Sequence, residues 1–368
     1  MVDPRVEKLA KVLIHYSLAV KKGEWVIIQG AYLAEDLMRA ACIEVLSAGA
    51  HPTIHADIAG SHHLMFHRGN DEQIAFISPA RKLEFKKADK FLFIMGGWNS
   101  KEMTGIDPKR MALAQSARKE LMDVMMKRTA AGEVAWCGTL YPTHSSAQDG
   151  EMSLMDYEDF VFKGGMVDKK DPVAEWKKIS LRQAELAKRL SRLNIIRVVG
   201  KDTDIKFRVA GRKWVNCDGR ANFPDGEIFT CPLEDSVEGH IRYTFPAVYG
   251  GREVENVRLV FKKGRVVEAT ADKGAELLDA MLAADPGARR VGELAFGTNQ
   301  AIKVFTKNTL FDEKIGGTMH VALGASLPEA GGKNKSAIHW DMVCDTRKGF
   351  TVYGNGKPIQ KDGKFLKF

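Results

Sequence analysis

The chain has 368 residues, of which 45% are hydrophobic and 28% charged, and its 55 basic against 47 acidic residues give a formal net charge of +8. That length buries a sizeable core and suits two domains, and no apolar run is long enough to span a bilayer. The lysines are interleaved with acids rather than gathered with aromatics on one face, which argues against a nucleic-acid partner.

The N-terminus is charged throughout and has no signal-peptide core, so a cytoplasmic protein is expected. Residues 4–20 place Val6, Leu9, Ala10, Leu13 and Ile14 at helical spacing. "KKGEWVIIQG" then reads as a turn and a short buried strand ending at Gly30, followed by a helix over 34–46 and a strand at "HPTIHAD". The rhythm repeats with "KFLFIMGG", a helix over 108–128 and "GEVAWCGTL". Such alternation predicts a largely parallel sheet covered by helices. No G-x-G-x-x-G follows these strands, so a dinucleotide site has no support.

Residues 145–194 read as mostly helical, with "DPVAEWKKISLRQAELAKRLSRLN" as a connector. From Ile195 onward, short alternating runs separated by Gly-containing turns are the grammar of strands and hairpins. A helix over 274–282 interrupts them, and "TVYGNGKPI" signals a closing hairpin. The expected fold is α/β. An N-terminal α/β domain with its helical connector spans 1–194, and a β-rich α+β domain carrying the site spans 195–368.

Candidate chemistry gathers in the second half. His339 and Asp341 lie two apart in "SAIHWDMV", and on a strand such residues share a face roughly 6.5–7 Å apart. An imidazole and a carboxylate suit Zn, Mn, Co or Fe, although His-x-Asp taken alone is more simply a hydrogen-bonded surface pair. His320 opens "HVALG", and Glu313 stands across a Gly-Gly turn that can return it toward His320. Glu227 follows a Pro-Asp-Gly turn. Each of these acids alone reads as a solvated turn residue.

Glu293 is different. It stands among Val, Leu, Ala and Phe in "RRVGELAFGTN", where an isolated carboxylate is costly unless paired or metal-bound. Together these groups suffice for a pair of divalent ions about 3.5–4 Å apart. The absence of a thiolate among them favours a catalytic over a structural site. The five cysteines are scattered without a C-x-x-C pair, so no disulfide framework is indicated. His15, His51, His55, His62, His63, His67 and His144 read as surface or packed groups.

The ordered set "PDGEIFT", "EDSVEG", "GELAFG", "LFDEK", "HVALG" and "SAIHWD" resembles the aminopeptidase T / aminopeptidase S / PepS metallo-aminopeptidases. The start "LIHYSLAVKKGEWVIIQG" resembles theirs too, so the likeness covers nearly the whole chain. The resemblance implies a cytoplasmic homodimer that removes N-terminal residues from short peptides with two divalent ions (Zn, Co or Mn) per subunit. It implies that Glu227, Glu293, Glu313, His320, His339 and Asp341 hold the ions, with Glu293 bridging them or relaying a proton. It also suggests that paired subunits enclose the sites in a chamber.

Three departures stand out: "KIGGTM" is longer than its counterpart, the loop from His320 to His339 is shorter, and Leu327 replaces a tyrosine in a "YPE"-like triplet. A phenol could hydrogen-bond an oxyanion; leucine cannot. Tyr353, the next tyrosine, reads as structural. The expected function is a metal-dependent aminopeptidase that uses a two-metal activated water. The alternatives are an Fe(II)-dependent ring-cleaving dioxygenase on the same scaffold, or a catalytically weakened peptide-binding relative. The three glutamates beside the histidines argue against the dioxygenase.

Overall fold

A computed structural model describes residues 3–368. The chain forms two compact units, one of Met1–Val173 with Gly219–Pro224 and one of Ala174–Asp218 with Asp225–Phe368. No helix among the described residues is long and apolar enough to cross a membrane.

In the first unit a five-stranded sheet runs in the order His51–Asp57, Trp25–Ala31, Lys90–Met95, Ala135–Leu140, Asn222–Phe223, with every pairing parallel. Val26, Ile27 and Ile28 are all fully buried, as a central parallel strand covered on both faces requires. The first helix, Pro4–Val12, starts where the Asp3 side chain accepts the Arg5 N–H and continues as a π-turn over Leu13–Ser17. Helices Glu35–Ser47 and Pro108–Ala130 follow the sequence expectation closely. Three short helices, Ser61–Arg68, Asp71–Ala75 and Pro79–Lys87, were not anticipated. They bury only Ile74, Glu84 and Phe85, so they leave almost no apolar period, and the second and third are started by Asn70 and Ser78 caps.

The second unit holds two large antiparallel sheets and a two-stranded one, Ala247–Tyr249 with Arg252–Val254. An eight-stranded sheet includes the hairpin Thr351–Gly354/Lys357–Lys361. Asn355 and Gly356 make its turn at φ 49° and 84°, the positive values that a tight two-residue hairpin turn needs. A five-stranded sheet runs in the order His339–Cys344, Met319–Gly324, Val291–Gly297, Glu227–Thr230, Val215–Cys217. One buried cluster joins them: Ile196, Ile205 and Phe207 from the larger sheet, and Leu294, Phe296, Val321 and Trp340 from the smaller. Leu186 and Leu190 of helix Pro172–Leu190 belong to the same cluster. The stretch that reads as a connector is therefore part of this unit's core.

Candidate metal centre

Strand periodicity sets the site. Ile228, Leu294, Phe296, Met319, Val321, Leu323, Trp340 and Met342 all point into the core of the second unit. Successive strand residues alternate faces, so Glu227, Glu293, His320, His339 and Asp341 share the opposite face of the five-stranded sheet. The register gives this face a floor of small residues. Ala295 lies opposite His320, Ala322 lies opposite both Glu293 and Asp341, Gly297 lies opposite Glu227, and Gly324 lies opposite His339. These small partners leave room for the five polar side chains to converge, although His320 also pairs with Val343 and Glu227 with Cys217. A register shift between Val291 and Glu293 is the local kink expected of a bulge that re-aims a side chain.

Glu313 arrives from outside the sheet, as the C-cap of the short helix Thr309–Asp312. That helix is fixed by the Asn308 side chain, which accepts the Leu310 N–H, and by Asp312. The Asp312 Oδ1 accepts from the Thr306 N–H at 2.7 Å and its hydroxyl at 3.1 Å. At the other end of the site, Gly324 takes φ 100°, and a Cβ there would meet the Ile338 carbonyl oxygen at 2.1 Å. Only glycine permits that crossing from the His320 strand into the loop that leads to His339.

The polar atoms converge at a distinctive spacing. His339 donates its Nδ1–H to the Ala325 carbonyl at 2.8 Å. Its Nε2 therefore faces Glu293 Oε2 at 3.3 Å and Asp341 Oδ1 at 3.4 Å. His320 Nε2 lies 3.3 Å from Glu293 Oε1, 3.4 Å from Glu227 Oε2 and 4.0 Å from Asp341 Oδ1. Glu227 Oε2, Asp341 Oδ1 and His320 Nδ1 are buried without a hydrogen-bond partner. Ligands about 2.0–2.2 Å from a tetrahedral ion sit roughly 3.3–3.6 Å from one another, whereas charge-assisted hydrogen bonds are about 2.7–2.9 Å long. The separations match the first pattern, and the orphaned oxygens lack the partner that a cation would supply. The donor set fits a divalent ion.

Electrostatics agree. Burial opposes the charge of His320, yet Glu293 and Glu227 outweigh it and push the imidazole up to about 9. Burial is likewise overcome at His339, which Asp341 and Glu293 drive up to about 12. Asp341 falls to about 2 despite its burial, because His339 is beside it. Glu293 is lowered against burial by the two imidazoles. Burial pushes Glu227 up to about 8, against the pull of Lys314. Without an ion the cluster recruits protons as its positive charge, which is the proton–metal competition of a ligand set.

Sequence reasoning missed two members, Lys314 and Asp225. Lys314 has no exposed side-chain surface, and its Nζ lies 2.6 Å from Glu313 Oε1, 2.7 Å from Glu227 Oε1 and 3.5 Å from Asp225 Oδ1. Burial works against its charge, but the carboxylates of Glu227, Glu313 and Asp225 hold it well above the usual lysine range. Both residues looked like turn residues; the apolar Leu310, Phe311 and Ile315 flanking Lys314 were the one available signal. Leu327 packs with Phe229, Cys231, Ala295 and Ala330 in an apolar wall, while its carbonyl accepts from the Cys231 thiol at 3.5 Å. The histidines of the first unit join no potential ligand group among the described residues; His15 pairs with Glu44 and His55 with Glu84, at 2.8 and 2.7 Å.

The sequence model of the thermophilic metalloprotease (M29) family matches residues 2–365. The chain belongs to that family. Among M29-like relatives, Aminopeptidase 2 of Geobacillus stearothermophilus is 26% identical over 99% of this chain and 98% of its own length. Aminopeptidase AmpS of Bacillus subtilis (strain 168) is 25% identical over 98% of each. The solved structure of wild-type AmpT from Thermus thermophilus superposes with a TM-score of 0.86 at 25% identity, covering 99% of both chains. This M29 chain is thus a metallopeptidase, a hydrolase, with the α/β plus β-rich architecture that the sequence predicts. A ring-cleaving dioxygenase is not favoured.

Proposed function

We propose that this chain is a divalent-metal-dependent aminopeptidase that releases N-terminal residues from short peptides. The observation that carries the reading is the convergence of Glu227, Glu293, Glu313, His320, His339 and Asp341, with imidazole–carboxylate separations of 3.3–3.4 Å at its centre. It occurs in a chain that matches proteins named aminopeptidases along its full length. The donors fall into overlapping groups: Glu293 with His339 and Asp341, Glu227 with Glu293 and His320, and Glu313 with His320 and Asp341. Such a set suffices in number for the two ions, zinc, cobalt or manganese, that the family resemblance implies. Glu293, with an oxygen toward each imidazole, would be the ligand shared by two such ions or the group that relays a proton.

When bound, a divalent ion supplies an acidified water and polarises the scissile carbonyl. The chain supplies orientation. The Ala325 carbonyl fixes the His339 tautomer so that the Nε2 lone pair faces inward. The apolar wall of Phe229, Ala330 and Leu327 excludes water beside the polar cluster and gives a substrate side chain something to pack against. Leu327 itself offers no oxyanion donor. A homodimer enclosing the sites belongs to the same reading.

The test is release of amino acids from amino-acyl substrates and short peptides. Activity that a chelator abolishes and Zn, Co or Mn restores is expected. Ion-loaded protein that binds peptides tightly without releasing any amino acid would favour the weakened peptide-binding relative.

A further inference from the structure

The polar cluster is built in two different ways. Around Glu293, His339, Asp341 and His320 Nε2, the contacts run from 3.3 to 4.0 Å, and the buried Asp341 Oδ1 has no hydrogen-bond partner. Around Glu313 and Glu227 the contacts are 2.6 and 2.7 Å, and both run to the Lys314 ammonium. Lys314 donates a charge-assisted hydrogen bond to Glu313, and its ion pair with Glu227 has the same short length. With Asp225 at 3.5 Å, the three ammonium hydrogens face three carboxylates. One oxygen of each carboxylate, the Oε1, thus already points at a cation that is part of the chain, while Glu227 Oε2 lies 3.4 Å from His320 Nε2.

Lys314 is not free to withdraw. Its carbonyl accepts the Asn299 N–H at 3.1 Å, its own N–H bonds the Phe311 carbonyl at 3.0 Å, and Gly316 N–H reaches the Asn299 carbonyl at 3.0 Å. A Cβ on Gly297 would stand 3.0 Å from the Lys314 carbonyl carbon, so strand and turn are in direct backbone contact. The side chain has no exposed surface. A divalent ion bonded to Glu313 and Glu227 would lie within a few ångströms of a fixed ammonium in a buried site, where like charges repel strongly.

We infer that Lys314 stands in for the second ion, so that each chain holds one divalent ion, on Glu293, His339 and Asp341. This inference rests on the metal-dependent reading above and narrows it. The lengthened "KIGGTM" turn is then the segment that delivers the resident cation. Lys314 is a positioning residue: it holds Glu313 and Glu227 in place and sets the charge next to the ion.

The experiment counts ions. Wild-type protein and the Lys314→Met variant are loaded with excess zinc, desalted, and measured by native mass spectrometry and elemental analysis. One zinc per wild-type chain and two per Lys314→Met chain are expected. Two zinc ions on the wild type, or one on a folded Lys314→Met, overturns the inference while leaving a metal centre in place. No zinc on the wild type overturns the metal-centre reading itself. Should Lys314→Met fail to fold, the wild-type count is joined by Glu313→Gln, which keeps its single zinc if Lys314 is the partner of Glu313 and has a lower zinc count than the wild type if Glu313 holds an ion.

Discussion

Glu293→Gln isolates the charge at the centre of the cluster while preserving its shape. Glu293 is 4% exposed, and its two oxygens lie 3.3 Å from His320 Nε2 and 3.3 Å from His339 Nε2. The amide keeps one acceptor but turns an NH2 toward one imidazole, which then cannot share a cation with it. Removing one partner of a buried charged arrangement costs roughly 3–5 kcal/mol. At 1.4 kcal/mol per factor of ten, that weakens ion binding by about 100- to 3,000-fold. Competition against a chromogenic chelator reads this directly, with circular dichroism as the check that the fold is retained. In the ion-free protein His320 loses a main cause of its elevation, so its imidazole signal titrates at lower pH by NMR. A variant that folds and holds zinc within threefold of wild type would refute the assignment of Glu293 as a ligand.

Further outcomes follow from the same geometry. In the ion-free protein His320 and His339 are raised from 6.5 to about 9 and about 12, so the stability they contribute is complete below about 6.5 and is lost as pH rises through the folded values. Glu227, raised from 4.5 to about 8, has the same sign. The melting temperature in EDTA therefore falls between pH 6.5 and 9, whereas with excess zinc it rises, because ion binding displaces protons; an EDTA profile that rises with pH contradicts this. Ala322→Val places two methyl groups between Glu293 and Asp341, its register partners. Overpacking costs about 1–3 kcal/mol, and zinc affinity drops further than the change in melting temperature explains; an unchanged affinity would show that the floor is not tight. Leu327→Tyr adds a hydroxyl at the apolar wall. One oxyanion donor is worth roughly 10²–10³ in kcat, so a rise of at least about tenfold in kcat at constant zinc content is expected. A kcat at or below that of wild type means the phenol does not reach the oxyanion.

Much of this was legible in the sequence, for reasons that differ by element. The parallel sheet showed through because buried strands such as "WVIIQG" are continuous apolar runs between amphipathic helices. Glu293 announced itself because its neighbours on both sides are core residues. Glu227 and Glu313 did not: the strand Val291–Gly297 that pairs with Glu227 at Gly297 is distant in sequence, and only the fold brings Glu227 to the Lys314 ammonium beside Glu313. Lys314 was invisible because a lysine after a glutamate in a glycine-rich turn is ordinarily a solvated pair; only tertiary packing closes it off. The alanines and glycines of "GELAFG" and "HVALG" carried more information than they first offered. Their alternation with Glu293 and His320 encodes the small floor, which becomes apparent once the strand register is known. The helical connector lost its linker role because Leu186 and Leu190 pack into the second unit's core.

The most direct test is a crystal structure of the zinc-loaded protein with anomalous data collected on both sides of the zinc edge. A zinc peak enclosed by Glu293, His339 and Asp341, with the Lys314 ammonium between Glu227 and Glu313, is the predicted result. Protein that releases amino acids while its only zinc lies away from those three side chains would contradict the account.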